Sequence, residues 1–269
     1  MSLLAITEAA NDLERLLEAK GLKHPRHAQH VAPARNRTKA VLVHYFERQR
    51  KAVLKDIKPR ISRELMLYPP LRESSQQGKT FARNLLPVSL HPLTFAATHA
   101  EESEYNSAIT DLLGAAAKSL GAESGADFAG QYLRENSLAK LTGGLNQTSI
   151  ERLQDALATA WDKGGDYDSM VHAVTDTFDD FSTKRADLIA QTETADAYNS
   201  GRDAIARELG FTEKSWETES GDPCPTCEAN EAQEWIDIDE DFASGDDAPT
   251  AHPNCLCVIN FRKGESEEE

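Results

Sequence analysis

Apolar positions recur along most of this chain with the period of a helix, and the pattern changes near residue 210. Residues 3–19 place Ile6, Leu13, Leu16 and Leu17 on one face, with Gly21 as the stop. The stretch 22–37 is rich in Pro, His and Arg and reads as a connector. Residues 38–66 resume the period through Leu42, Phe46, Val53, Ile57, Ile61 and Leu65, and Pro59 is expected to kink or break that helix. Pro69, Pro70, Pro87 and Pro92 mark 67–103 as loop with short helical pieces. The period then returns over roughly 104–120, 125–139, 148–162, 167–181 and 183–209. Thr148 and Glu151 fit a capping box, Gly164-Gly165 separates two helices, and Gly210 ends the last one.

Beyond Gly210 the composition becomes strand-like in KSWETES (214–220) and CVINF (257–261), which flank an acidic, turn-rich stretch. The expected fold class is α+β and predominantly α-helical. A helical arm (1–66) leads through a Pro-containing connector (67–103) to a helical main domain (104–210). A small β-containing, zinc-knuckle-like knob (211–263) and an acidic tail (264–269) complete it.

Composition adds limits. No apolar run is long enough to span a bilayer, so no membrane partner is expected. The N-terminus lacks a basic region followed by an apolar block, so a secretory signal is not expected, and in the cytosol disulfides are rare. The net charge of −16 hides an asymmetry. From Lys20 to Arg63 there are 13 basic residues against Glu47 and Asp56, a local net of +11, so the remainder carries −27. Between Lys214 and Arg262 lie 12 acidic residues and no Lys or Arg. Lys39, Arg48, Arg50, Lys51, Lys55 and Lys58 are therefore candidates to meet an acidic partner or DNA, while the overall acidity argues against a general DNA binder. The histidines His24, His27 and His30 have basic neighbours and read as exposed side chains.

All four cysteines fall in GDPCPTC (221–227) and AHPNCLC (251–257). Cys224 and Cys227 form a C-x-x-C knuckle, and His252, Cys255 and Cys257 follow as H-x-x-C-x-C. Zinc prefers four tetrahedral sulfur or nitrogen ligands, and two short pairs joined by a loop supply them. Five candidates compete for four places, with Cys255 and Cys257 as the alternatives for the last. A structural Zn²⁺ would order an acidic segment whose apolar residues are mainly Trp235, Ile236, Ile238 and Phe242. Rival chemistries lack partners. A thioredoxin-like pair wants a βαβ setting. A zinc deaminase matches P-C-x-x-C at 223–227 but has no upstream H-x-E, since His172 is followed by Ala-Val. A Cys255–His252 nucleophilic pair three residues apart is poorly oriented. There is no H-E-x-x-H, and Phe242 stands where a calcium loop would need glycine.

The order of features from RADLIAQTETADAYNSG (185–201) through Trp216 and DPCPTC to HPNCLC resembles the phage Mu F-like minor head protein family, the phage head morphogenesis domain. The resemblance rests on Arg185, Ile189, Ala190, Thr192, Glu193, Asn199, Gly201, Trp216, Asp222, Cys224, Cys227, His252, Pro253, Asn254, Cys255 and Cys257. It covers roughly 140–262, including the helical lead-in at 144–167. The family commonly has Arg at the positions of Gln191 and Leu256. The resemblance implies a low-copy virion protein that associates with the portal during procapsid assembly in the host cytoplasm. Such a protein ends inside the capsid near the portal and influences DNA packaging or ejection, with other capsid or scaffolding proteins as further partners. No reaction is implied. Arg185, Thr192, Glu193, Asn199, Trp216 and Asp222 then read as structural and docking residues, with Thr192 and Glu193 bonding the knob. The enzymatic alternative is a zinc-dependent hydrolase or nucleic-acid-modifying enzyme, with Glu193 as general base at an open metal position.

Overall fold

The computed structural model describes residues 26–67, 75–86, 96–122, 126–219 and 222–263. The expected first helix at 3–19 and the acidic tail lie outside them. In order come α1 (Arg26–Leu67), α2 (Ser75–Leu85), α3 (His99–Ser119), α4 (Ala126–Glu135), α5 (Leu138–Asp162) and α6 (Tyr167–Asp180). A π-helical turn (Phe181–Arg185) and α7 (Ala186–Glu208) complete the long helices. Then follow β1 (Glu213–Glu217), α8 (Pro225–Glu231), β2 (Trp235–Asp237) and β3 (Val258–Arg262). The chain is mostly helical, with one small antiparallel sheet in the order β2-β1-β3.

Two compact units are assembled from separated stretches. One holds 36–108 and 131–190; the other holds 109–130 and 191–263, with the start of α1. The expected boundaries ran in chain order, whereas these units interleave, because α1, α3, α4 and α7 each contribute residues to both.

The first unit is a helical core. Leu42, Phe46, Val53, Ile57 and Ile61 of α1 are buried against Leu153, Leu157 and Trp161 of α5 and Val174 and Phe178 of α6. Pro59 does not break α1, and the stretch 26–37 expected as a connector is helical as well. Buried Ile57 and Ile61 on either side hold the helix through the proline, since tertiary packing outweighs local propensity. In the presumed connector, α2 packs against α5 across Gly78. A Cβ there would sit 2.5 Å from Asp162 Oδ1 and 2.9 Å from the Ala158 carbonyl. The expected capping box at Thr148 is also corrected. Helix α5 begins ten residues earlier, at Leu138, capped by Ser137, whose hydroxyl accepts from Lys140 N–H. Buried Leu138, Thr142 and Asn146 carry the helix through Gly143-Gly144. Gly164 and Gly210 adopt φ of +74° and +71° at the ends of α5 and α7, the left-handed stop their type permits.

Within this unit Glu101 is almost fully buried (3% exposed). It is held by the Arg48 guanidinium at 3.0 Å, the Thr98 N–H at 2.7 Å and His44 Nδ1 at 2.9 Å. Burial pushes its carboxyl up, but the donors outweigh burial and leave it below its ordinary value.

Candidate metal centre

In the second unit the sheet and α7 form the platform on which the cysteines are set. Alternation along β1 turns Lys214 and Trp216 inward, and Thr218 just beyond the strand is buried as well. Trp216 pairs with Ile259 of β3 and stacks edge-on against Phe242 with ring centroids 5.1 Å apart. Around this pair gather Cys227, Cys255, Cys257 and Ile259 as a small core.

The C-x-x-C knuckle opens α8. Cys224 is its N-cap, with Pro225 at the first helical position, and the Cys224 sulfur accepts from the Cys227 N–H at 3.4 Å. The far end of α8 is tied to β1, because Glu231 accepts from both the N–H and the hydroxyl of Thr218. This short helix and β2 were not foreseen, since seven- and three-residue elements carry too little periodicity to register. The knuckle thus opens a helix after a strand, but the sheet is antiparallel and no βαβ unit forms.

The second motif is fastened to α7. Asn254, at φ 67°, donates its N–H to Thr192 Oγ1 at 3.0 Å. The Gln191 amide donates to Asn254 Oδ1 at 2.7 Å. Asn199 is fully buried; it donates to the Cys257 carbonyl at 2.9 Å and accepts from the Ile259 N–H at 3.2 Å. Two backbone groups that would otherwise be stranded at the start of β3 are satisfied by that one side chain.

These supports bring the five candidate ligands into two triads that share Cys227. One is Cys224, Cys227 and His252; the other is Cys227, Cys255 and Cys257. His252 Nε2 lies 3.2 Å from Cys224 Sγ and 3.4 Å from Cys227 Sγ, and Cys227 Sγ lies 3.8 Å from Cys255 Sγ. Zinc bonds of about 2.3 Å to sulfur and about 2.0–2.1 Å to nitrogen give tetrahedral edges of about 3.8 Å between sulfurs and about 3.6 Å between sulfur and nitrogen. The donor set fits that ion. His252 Nδ1 is 2.9 Å from the Pro253 carbonyl, which assigns the proton to Nδ1 and turns the Nε2 lone pair toward the two sulfurs. Deprotonated together with no cation among them, these thiolates would repel. The Cys255 thiol is pulled down to about 5, first by the hydrogen bond from Cys257, whereas burial pushes Cys227 up to about 12.

The remaining predicted residues divide clearly. Arg185 belongs to the helical unit. Its guanidinium lies over the rings of Phe181 and Phe46, at 4.7 and 5.7 Å, and donates to Ser149 Oγ, Thr148 Oγ1 and the Leu145 carbonyl. Burial lowers it to about 10. Glu193 is half-buried, and burial, reinforced by the Asp196 carboxylate, pushes its carboxyl up to about 7. Asp222 is exposed just ahead of Cys224. Among the basic candidates, Lys39, Arg48 and Arg50 are paired with Asp187, Glu101 and Asp179 inside the helical unit. Lys51, Lys55 and Lys58 are exposed.

The acidic loop is held by cations that sequence reasoning did not single out. Arg207 donates to Asp203, Asp239, Asp247 and the Ile238 carbonyl, and buried Lys214 reaches the Asp247 carbonyl and carboxylate. The period of two that turns Trp216 inward turns Lys214 inward too, so that residue was discoverable.

Among the described residues no helix is long and apolar enough to cross a membrane. No curated protein and no solved structure matches the chain. The arrangement built above, from the middle of α5 to β3, is the region a family comparison picks out. Residues 151–260 match the family model described as Phage Mu protein F like protein, so this stretch of the chain, rather less than half of it, is similar to that family.

Proposed function

We propose that this is a non-enzymatic minor head protein that docks on the portal during procapsid assembly and influences DNA packaging or ejection. The match over 151–260 carries the reading. It is supported by the employment of the motif residues: Arg185, Thr192, Asn199 and Trp216 are occupied in packing and in hydrogen bonds to backbone and hydroxyl groups. In this reading the Cys/His cluster holds Zn²⁺ as a structural clasp. The ion cross-links α8 to the 252–257 turn, and the chain's own residues orient that turn against α7. The capsid interior near the portal is then its place, with other capsid proteins as neighbours.

The contact surface follows from charge. Half of the predicted basic set is neutralised internally, which leaves Lys51, Lys55 and Lys58, spaced four and three residues apart on one face of α1, to meet an acidic portal surface. The test is co-purification of the cognate portal with the full chain and with a Lys51→Glu, Lys55→Glu, Lys58→Glu variant. Charge reversal is expected to weaken capture at least tenfold, with a salt dependence in the wild type that the variant lacks. Undiminished capture at low salt overturns the docking surface, and binding of the wild type to DNA in place of portal moves the stripe to packaged nucleic acid.

The enzymatic reading is favoured by the half-buried Glu193 carboxyl, which burial pushes up to about 7. It requires an open metal position, and a metal-bound form with three protein ligands and one exchangeable water would support it over the clasp.

A further inference from the structure

We infer that the clasp is a Cys₃His site made by Cys224, Cys227, His252 and Cys255, with Cys257 outside it as a fifth, unligated sulfur. The inference rests on the zinc reading above and concerns which residues of this chain complete it.

The two triads meet only at Cys227, and a single tetrahedral ion that takes the histidine lies on the face where Cys224, Cys227 and His252 already stand. Its fourth vertex has to come from the same turn as His252 and at a tetrahedral edge from Cys227. Cys255 meets both demands, and binding would have to draw its sulfur nearer to Cys224 or His252, since the four donors do not all lie within 4.8 Å of one another. Its sulfur is 3.8 Å from Cys227 Sγ, and its N–H donates to the His252 carbonyl at 3.2 Å, which closes the turn that carries both side chains. Asn254 between them is pinned by Thr192 and Gln191, so α7 sets the orientation of the pair.

Cys257 is committed elsewhere. Its carbonyl is the acceptor of Asn199, and the next residue begins β3, so its backbone is fixed in the sheet and not in the ligand turn. Its sulfur packs beside the Trp216 indole, whose buried N–H makes no other hydrogen bond. As a thiol, Cys257 can take that N–H and offer its own S–H to the Cys255 sulfur. It thereby spreads the charge of a three-thiolate site and orients a ligand without being one.

The experiment compares the full chain with Cys255→Ser and Cys257→Ser, purified reduced, by zinc content and by absorption after replacement with Co²⁺. The wild type and Cys257→Ser are expected to hold one metal ion per chain with the same sulfur-to-cobalt charge-transfer intensity, and zinc affinity in Cys257→Ser within about a hundredfold of wild type. Cys255→Ser is expected to lose about a third of that intensity, or the metal altogether. Circular dichroism of each variant separates ligand loss from unfolding. The assignment is overturned if Cys257→Ser loses the intensity, whether Cys255→Ser keeps it or loses it too. Absence of metal from the wild type sinks the zinc reading itself, a distinguishable result.

Discussion

Glu193 is the residue whose chemistry differs most from its type. Burial makes the protonated carboxyl the preferred form in the folded chain up to about pH 7, against an ordinary value of 4.5. The stability this contributes is fully present below the unfolded value and declines as the pH rises through that window. Above it the folded chain carries the cost of a half-buried charge. Glu193→Gln is therefore expected to raise stability at about pH 8, on the order of 1–2 kcal/mol, and to change little at about pH 4. Thermal melts of the two proteins across this range check it, and an equal gain at both ends contradicts the burial account. Other residues show how far a sequence can be read at this scale. Thr192 was expected to bond the knob's backbone and does accept the Asn254 N–H. The partners of Arg185 lie 36 to 40 residues earlier in the chain, on α5, and no local spacing encodes such a distance.

At the scale of elements, strong periodicity was legible and interruptions were misread. The apolar stripe of α1 was visible, but its proline was given too much weight. Local rules price Pro59 by the hydrogen bond it removes, whereas the buried residues flanking it set the outcome. The start of α5 was missed for a similar reason, since paired glycines suggest a break that its buried face overrides. Helix α2 went unseen as a single element because its most informative residue is small. Gly78 lets the two helix backbones approach, and that is a tertiary demand. Gly78→Ala is expected to cost about 1–3 kcal/mol, because the added methyl meets the Ala158 carbonyl, which cannot swing aside as a side-chain tip can. Denaturant titration checks this, and an unchanged midpoint would mean that α2 and α5 separate without penalty.

For the molecule as a whole, the charge asymmetry was real but incompletely informative. Composition put +11 on the basic segment, yet several of those cations pair with carboxylates of the same unit, Arg48 with the buried Glu101 and Lys39 and Arg50 at the surface. Net charge cannot distinguish a docking face from an internal lattice of ion pairs. The two units also differ in what holds them. The helical one rests on a large apolar cluster, whereas the sheet and its acidic loop have a small core of Trp216, Phe242, Ile259 and sulfur. Metal removal is accordingly expected to act locally. With a chelator present, proteolysis within 222–257 should accelerate while most helical circular dichroism persists. A cleavage pattern indifferent to chelation would show that hydrogen bonds to α7 suffice.

The interleaved composition of the units has a consequence for the order in which the chain can fold as it is synthesised. Every segment of the unit built from 36–108 and 131–190 has been made once residue 190 has left the ribosome. The other unit cannot close then: Leu112, Leu113, Ala116 and Ala117 await partners encoded in the last third of the chain. Vectorial synthesis therefore leaves the nascent protein with one finished core and one apolar stretch still unmatched, until the residues that carry the clasp emerge.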